Sequence, residues 1–212
     1  MNNFYSGEIY HVFNKSIANF GIFKDENNCQ RFIETLDYYN SSLVKDRFSW
    51  AKEKGEYCFN GLFIKKENPL FKIISYCVMP DHYHLMVKIL KDKIFSKFIN
   101  DLENSYTRYF NIKFKRKGPL WQSSFKSIRI KNNEQLLHLS RYHHINPVTN
   151  YLVDKPEDWK FSSYNDYLTN PDLLGGDLTE ISITEPSIYK TFVEDRIDYQ
   201  RRLRMIKKQI LE

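Results

Sequence analysis

The feature that most constrains the fold is a pair of apolar segments separated by only two residues. Residues 71–79 (FKIISYCVM) and 82–90 (HYHLMVKIL) are rich in β-branched and aromatic side chains, and Pro80-Asp81 lies between them. Because such runs bounded by turn residues are typical of strands, the pattern predicts a β-hairpin. The two strands of a hairpin are antiparallel, so we expect an antiparallel sheet at this point.

The elements on both sides extend this hairpin into a longer alternating order. Residues 7–14 and 123–130 also have the strand pattern, and helical periodicity covers residues 25–39, 94–114 and 133–146. The resulting order is β-α-β-β-α-β-α, and its first six elements are those of the ferredoxin-like split βαβ fold. We therefore predict an α+β protein with a four-stranded antiparallel sheet covered by helices.

Polar and proline residues mark the predicted helix ends. Asp25 is a suitable N-cap for the first helix, and either Asn132 or Asn133 can cap the third. Pro147 is expected to end that third helix, because proline lacks the backbone N–H that a continuing helix needs.

The chain divides by composition into a main domain and an extension. Residues 1–150 hold all the elements above, with a polar segment at 41–70 that has no clear period and is read as an insertion or long loop. Residues 151–212 form a C-terminal helical extension. Its last part, 187–210, has an amphipathic helical pattern that ends in the basic run RRLRMIKK.

Positive charge is concentrated in the middle of the chain. The net charge is +6, yet the segment from Lys88 to Lys131 has twelve Lys and Arg residues against three acids. Aromatic residues alternate with these cations, which suits a nucleic-acid backbone with stacked bases; a solvated helix with core aromatics is the alternative. The predicted DNA contacts are Lys88, Arg108, Lys113, Lys115, Arg116, Lys117, Trp121, Lys126 and Arg129. Trp121 could instead close the edge of the domain.

Several other classes of protein are excluded. Cys29, Cys58 and Cys77 are odd in number and contain no CxxC pair, which argues against a disulfide framework or a thiolate zinc site. The sequence has no apolar run of about 18 residues, the length needed to cross a bilayer, and no signal-peptide layout at its start. We therefore expect a cytoplasmic protein without a membrane partner.

The sequence His82-Tyr83-His84 places two imidazoles on one face of a predicted strand. Residues two apart along a strand point the same way and lie roughly 7 Å apart. His82 and His84 can therefore converge on one divalent cation, on the face they share with Met86 and Lys88, while Tyr83 faces the helices. Two ordinary, partly exposed histidines are the alternative interpretation.

A second group of candidate residues lies on the third predicted helix. Tyr142 and Asn146 are four residues apart, so they share a helix face. Asn146 can offer an amide oxygen to a hard cation, and Tyr142 presents a hydroxyl one turn away. His138 lies on the same face and is a competing ligand. His143 and His144 are expected to point elsewhere, where they would cap the helix end or meet phosphate.

These two groups suit the transesterification of a phosphodiester. A tyrosine with a pKa of about 10 is a weak nucleophile at neutral pH unless its target is activated. A divalent cation would polarise a phosphate oxygen and orient the phosphorus for attack by the phenol. The products would be a 5′-phosphotyrosine and a free 3′-hydroxyl. Two histidines and an amide oxygen with open coordination positions suit Mg²⁺ or Mn²⁺.

Five sequence motifs, in this order, carry a resemblance to a known family. They are YHVFNKSI, ISYCVMPDHYHLMV, SYTRYFN, GPLWQSSF and LSRYHHINPVTNYLVDKPEDWKFSSY, and together they cover roughly residues 6–167. On these motifs the chain resembles the REP-associated tyrosine transposases. That family belongs to the HUH superfamily of single-tyrosine transposases, in which two histidines flank a bulky hydrophobic residue.

The resemblance implies a function and a set of site residues. Residues 1–150 would be a catalytic domain that nicks and religates single-stranded DNA. His82 and His84 would hold a divalent metal, Tyr142 would be the nucleophile, and Asn146 occupies the position where related transposases have a polar third ligand. The implied substrate is single-stranded or hairpin DNA from repetitive extragenic palindromes. The family favours a monomer, although some superfamily members form dimers.

Two departures and three alternatives accompany this hypothesis. Ser123 and Ser124 stand where relatives often have Arg or Gly. Segment 41–70 is longer than a minimal member needs, and it could be a hairpin-binding insertion or a surface loop. Tyr106 and Tyr109 are the replacement candidates if Tyr142 is not the nucleophile. The protein could also be a nucleic-acid-binding or regulatory protein without turnover. A hydrolytic metalloenzyme is a third possibility, for which the sequence offers no HExxH motif.

Overall fold

The structure, a computed structural model, describes residues 3–44, 46–170 and 172–211. Within it the chain forms two compact units. The first comprises the residues up to Ile73 together with Val78–Ile130. The second comprises Ile74–Cys77 together with the residues from Lys131 onward. We predicted a boundary at residue 150, whereas the division by packing falls at residue 130. The assignment of residues 1–150 as a catalytic domain stays a prediction.

The sheet contains four strands: β1 (Ile9–Lys15), β2 (Phe71–Met79), β3 (His82–Ile89) and β4 (Lys126–Ile130). Their order in the sheet is β2-β3-β1-β4, and β1 pairs antiparallel with both β3 and β4. The first strand of each β-α-β unit, β1 and β3, therefore lies in the centre, as in the split βαβ arrangement. The predicted α+β, ferredoxin-like antiparallel sheet is confirmed.

Seven α-helices lie in the described part of the chain. They are α1 (Glu26–Tyr39), α2 (Phe48–Glu53), α3 (Phe95–Lys113), α4 (Asn133–Thr149), α5 (Tyr164–Thr169), α6 (Pro186–Glu194) and α7 (Ile197–Leu211). The short helix α2 lies in the segment that was read as an insertion or loop. The single helix predicted for 187–210 is wrong, because α6 and α7 are separate helices. Both are amphipathic, so the polarity pattern alone does not mark the break between them.

The predicted helix starts are confirmed at two positions. The side chain of Asp25 accepts a hydrogen bond from the backbone N–H of Asn28 at 3.1 Å. The side chain of Asn132 accepts one from the N–H of Gln135 at 2.9 Å, so Asn132 and not Asn133 is the N-cap of α4. Each cap satisfies one N–H group that the first helical turn leaves without a partner.

The predicted helix end at Pro147 is wrong. Helix α4 continues through Pro147 to Thr149. The proline lies in the last turn, where its missing N–H removes only one helical hydrogen bond. The carbonyl of Asn146 still accepts from both the backbone N–H of Asn150, at 3.0 Å, and the Asn150 side chain, at 2.7 Å.

The core of the first unit lies between the sheet and helices α1 and α3. Val12 of β1 is paired with Leu85 of β3, and both are fully buried. Phe32 of α1 packs against Tyr83 of β3, with ring centroids 4.9 Å apart. Because side chains alternate along a strand, these residues define one sheet face as the helix-covered face.

The second unit has its own core, built mainly around α4. Helices α6 and α7 pack against α4, and α5 packs against α6. Tyr164, Tyr167 and Tyr189 are fully buried there. Among the described residues, no helix is both long enough and apolar enough to cross a bilayer.

A buried carboxyl group connects three elements of the first unit. Oε1 of Glu103 in α3 accepts hydrogen bonds from the Asn14 side chain of β1, at 2.8 Å, and from the Tyr83 hydroxyl of β3, at 2.7 Å. Burial raises the pKa of Glu103 to about 7, and the two hydrogen bonds only partly oppose this increase.

The raised pKa predicts a pH-dependent stability. The folded state binds the Glu103 proton more tightly than the unfolded state, so its contribution is greatest below the unfolded pKa. It falls as pH rises from about 4.5 toward 7 and is lost above that. The loss amounts to roughly 3 kcal/mol in the free energy of unfolding.

Glu103→Gln keeps the acceptor oxygen and removes the titration. We expect urea unfolding of this variant to show a smaller loss of stability between pH 5 and 8 than the wild type shows. Asp101→Asn, at an exposed carboxyl of the same helix, serves as the control. An unchanged pH dependence in Glu103→Gln would contradict the assignment.

Candidate active site

His82 and His84 lie on the sheet face opposite the helix-covered one. Their ring centroids are 4.9 Å apart and nearly perpendicular, at 87°. Tyr83, between them, points to the other side, where its hydroxyl bonds Glu103. The strand pairing also places Phe13 beside His84 and Lys15 beside His82. The alternation along β3 is therefore as the sequence predicted.

Asp81 orients the first of these histidines. Its Oδ1 lies 2.5 Å from Nδ1 of His82, and its Oδ2 lies 3.3 Å from Nζ of Lys15. Burial acts to raise the pKa of Asp81, but the hydrogen bond with His82 and the charge of Lys15 outweigh it and lower that pKa. An ionised Asp81 accepts the Nδ1 proton, which fixes the tautomer that carries its lone pair on Nε2.

His84 is buried beside a histidine that sequence reasoning missed. Nδ1 of His84 lies 3.0 Å from Nε2 of His11 in β1, so one ring donates and the other accepts. Burial lowers the pKa of His11 to about 4, and burial together with both neighbouring histidines holds the pKa of His84 well below 6.5. Both rings are therefore neutral at physiological pH, the form of imidazole that binds metal ions.

Tyr142 and Asn146 lie on α4 in the second unit. The Tyr142 side chain is 44% exposed, whereas Asn146 is buried. Burial of its inner part and the nearby Cys77 raise the pKa of Tyr142, while the Asn146 amide and Arg204 act in the opposite direction. The phenol is therefore protonated at neutral pH and accessible. The Asn146 Oδ1 accepts from the Asn150 side chain at 2.6 Å.

The competing ligand His138 is exposed and has contacts within its own helix. Its Nδ1 lies 2.6 Å from a guanidinium nitrogen of Arg141. Its Nε2 lies 3.7 Å from the Glu134 carboxylate. The two ring nitrogens of His138 therefore contact side chains of its own helix at the protein surface.

The expected role of the next two histidines is wrong. His143 and His144 are fully buried and neither caps the helix end. Nδ1 of His143 lies 2.8 Å from the Ser75 hydroxyl. His144 lies between the hydroxyls of Ser163, at 2.7 Å, and Tyr189, at 2.9 Å. Burial lowers the pKa of His144 to about 3, so this ring is a neutral part of the core.

The two replacement nucleophiles are less suitable than Tyr142. Tyr106 is fully buried, and its hydroxyl donates to the carbonyl of Ile22 at 2.9 Å. The Tyr109 hydroxyl donates to the Asn28 side chain at 3.1 Å. Neither hydroxyl has the exposure of Tyr142, so Tyr142 remains the candidate.

The predicted DNA-contacting residues differ in their surroundings. Arg129 makes a two-point ion pair with Glu8, with contacts of 2.6 and 2.7 Å, and Nζ of Lys113 lies 2.7 Å from the Asn28 side chain. Arg116 bonds the Asn111 side chain at 2.8 Å. The exposed members of the set are Arg108, Lys113, Lys115, Lys117, Lys126 and Arg129, whereas Lys88 and Arg116 are half-buried.

Trp121 packs within the aromatic core of the first unit. Its ring centroid lies 5.6 Å from that of Tyr83 and 6.1 Å from that of Phe23. Its indole N–H donates to the backbone carbonyl of Glu103 at 3.3 Å. These contacts correspond to the structural alternative that the sequence left open for Trp121.

Comparison with known proteins shows which family the chain resembles. The family model for IS200-like transposases matches residues 44–145, a range that includes His82, His84 and Tyr142. Over this range the chain is similar to the IS200-like transposases. The resemblance to REP-associated tyrosine transposases is thereby confirmed.

Two individual relatives agree with this match. A REP-associated tyrosine transposase of Escherichia coli (strain K12) is 28% identical over 126 residues, which are 58% of this chain and 73% of the relative. A Haemophilus influenzae protein provisionally given the same name is 27% identical over 129 residues, 51% of this chain and 73% of its own.

A solved structure supports the fold. It is that of a REP-associated tyrosine transposase bound to a REP hairpin, with 19% sequence identity and a TM-score of 0.53. The match covers 86% of this chain and 93% of the other. At this identity the likeness supports the fold alone.

The buried position of His144 predicts a structural role. His144→Ala would leave the Ser163 and Tyr189 hydroxyls without this partner and open a cavity, so we expect a loss of roughly 2–4 kcal/mol in the free energy of unfolding. His138→Ala, at an exposed position of the same helix, should change it by less than about 0.5 kcal/mol. Urea denaturation measures both variants, and equal losses would contradict the core role.

Proposed function

We propose that the protein is a metal-dependent transposase or endonuclease that nicks and rejoins single-stranded DNA at hairpin or repeat sequences. Tyr142 is the nucleophile, and the reaction passes through a 5′-phosphotyrosine. His82 and His84 hold the divalent metal ion, with Asn146 as the third ligand. The observation that carries the proposal is the histidine pair on one face of β3, with Asp81 fixing one ring and His11 contacting the other.

The residues present fit a divalent cation. The ionised Asp81 directs the Nε2 lone pair of His82 outward, and a carboxylate behind a ligand histidine is a common arrangement in metal sites. His84 is neutral because of its burial, so no proton has to leave before this ring coordinates. We assign the Nε2 atoms of His82 and His84 as ligands. A bound Mg²⁺ or Mn²⁺ would polarise a phosphate oxygen and so make the phosphorus more electrophilic.

The chemistry of Tyr142 follows from its exposure and its protonation. The phenol oxygen forms a bond to phosphorus as the bond from phosphorus to the 3′-oxygen breaks. The phenol loses its proton and the departing 3′-oxygen gains one, so the products are a 5′-phosphotyrosine and a 3′-hydroxyl. One phosphodiester replaces another, and the reverse reaction therefore rejoins strands without an added energy source.

The proposed substrate is DNA with a hairpin. The related structure described above is a complex with a REP hairpin, which supports a structured DNA substrate for this chain. The exposed cations Arg108, Lys115, Lys117 and Lys126 supply positive charge for the phosphates.

The decisive test is a covalent adduct between protein and DNA. Labelled hairpin DNAs incubated with the protein and Mn²⁺ should give an adduct on a denaturing gel, and EDTA should prevent it. Tyr142→Phe removes the attacking oxygen, so the adduct should fall by at least about a thousandfold. Tyr151→Phe, at an exposed tyrosine just after α4, is the matched control and should form the adduct normally.

Two outcomes would contradict the proposal. An adduct that persists in Tyr142→Phe would remove Tyr142 from its role. Tight hairpin binding by the wild type without any adduct and without an effect of EDTA would instead indicate a binding or regulatory protein that keeps the transposase fold.

A further inference from the structure

A basic cleft lies in the first unit, between α1, α2 and α3. Its volume is about 720 Å³. Five cations from these elements line it, and we define the basic cleft by them: Arg31, Arg47, Lys52, Arg108 and Lys113. Only Arg108 and Lys113 were among the predicted DNA contacts. The other three come from α1 and from the 41–70 segment, for which the sequence left a hairpin-binding insertion and a surface loop as alternatives.

Positive charge exceeds negative charge in the basic cleft. Two acids, Glu53 and Asp101, accompany the five cations of its lining. Lys52 is paired with Glu34, and Asp101 with Lys97. Neutral groups that can bond phosphate oxygens, including Asn104 and the Ser105 hydroxyl, also line the cleft. Arginines with amide and hydroxyl groups are the usual partners of a DNA backbone.

The lining of the basic cleft includes two aromatic residues, Tyr39 and Tyr109, and cations lie close to the ring of Tyr109. The guanidinium of Arg31 lies 4.2 Å from the centroid of Phe48 and 5.0 Å from that of Tyr109. The ammonium of Lys113 lies 5.7 Å from the centroid of Tyr109. Because cations already contact the Tyr109 ring, this ring offers little surface for stacking on a base, which favours contacts with phosphates.

The basic cleft is separate from the histidine pair. Buried residues of α3, such as Leu102 and Tyr106, face the sheet, whereas Ser105 and Arg108 face the cleft. Helix α3 covers the sheet face that carries Tyr83, and His82 and His84 lie on the other face. A phosphate in the cleft is therefore not the phosphate that the histidine site would bind.

We propose that the basic cleft binds the phosphate backbone of a duplex DNA stem. Arg47, at the N-terminal end of α2, and Arg108, in α3, supply the principal contacts. This inference depends on the proposed function in one respect, namely that the ligand is DNA. Under this proposal the 41–70 segment binds the paired part of the substrate, and the sheet face with His82 and His84 binds the single strand.

Salt-dependent binding tests this assignment. Fluorescence anisotropy compares a labelled DNA hairpin with a strand of the same length that cannot form a stem, over a series of KCl concentrations. In Arg47→Gln/Arg108→Gln, hairpin affinity near 0.1 M salt should fall roughly fiftyfold, and the slope of log affinity against log salt should become shallower by about 2. The stemless strand should lose much less affinity.

The control removes the same charge outside the cleft. Lys54→Gln/Lys65→Gln, at two exposed lysines, should keep the wild-type slope. The proposal is overturned if the arginine variant keeps wild-type hairpin binding and slope, or if the stemless strand loses as much affinity as the hairpin does. Thermal unfolding of each variant confirms that it is folded.

The adduct assay distinguishes failure of the proposed function from failure of the cleft assignment. Adduct formation by the wild type on the hairpin depends on Tyr142, whereas hairpin affinity does not. If no adduct forms but Arg47→Gln/Arg108→Gln still loses hairpin affinity, the assignment of Tyr142 as nucleophile is wrong, whereas the assignment of the basic cleft as a DNA-binding site is supported.

Discussion

The antiparallel register between β1 and β3 is the constraint on which the rest of the site depends. It pairs Lys15 with His82 and Phe13 with His84, so that Lys15 reaches Asp81 and His11 reaches His84 on one face. On the other face the same register brings Asn14 and Tyr83 to Glu103. A slip of one residue would move every side chain to the opposite face and would disrupt both polar groups at once.

Burial determines the protonation of these groups. The pKa of His11 falls to about 4 and that of Glu103 rises to about 7 for the same reason, because a charge is disfavoured away from water. At Glu103 the hydrogen bonds from Asn14 and Tyr83 only partly oppose this effect, and at His11 the neutral ring bonds His84. His84 is thus neutral, so a cation that binds this face would not have to displace a proton from it. On the other face of the sheet, Glu103 helps to specify the register through its hydrogen bonds with Asn14 and Tyr83.

Local patterns predicted much of the fold, and long-range contacts account for what they missed. The alternation of His82, Tyr83 and His84 and the caps at Asp25 and Asn132 depend only on neighbours in sequence, so they could be predicted. His11 could not be connected with His84 without the strand pairing. The burial of His143 and His144 depends on Ser75 and Tyr189, which are distant in the sequence. Pro147 was misread because proline disrupts the last turn of a helix less than its middle.

The central claim is that His82 and His84 hold a divalent cation, and crystals grown with Mn²⁺ test it most directly. The account predicts an anomalous scattering peak within about 2.0–2.3 Å of the Nε2 atoms of both histidines. The peak should disappear in crystals of a His82→Asn/His84→Asn variant grown under the same conditions. A manganese ion bound elsewhere, or a peak that persists in the variant, would contradict the account.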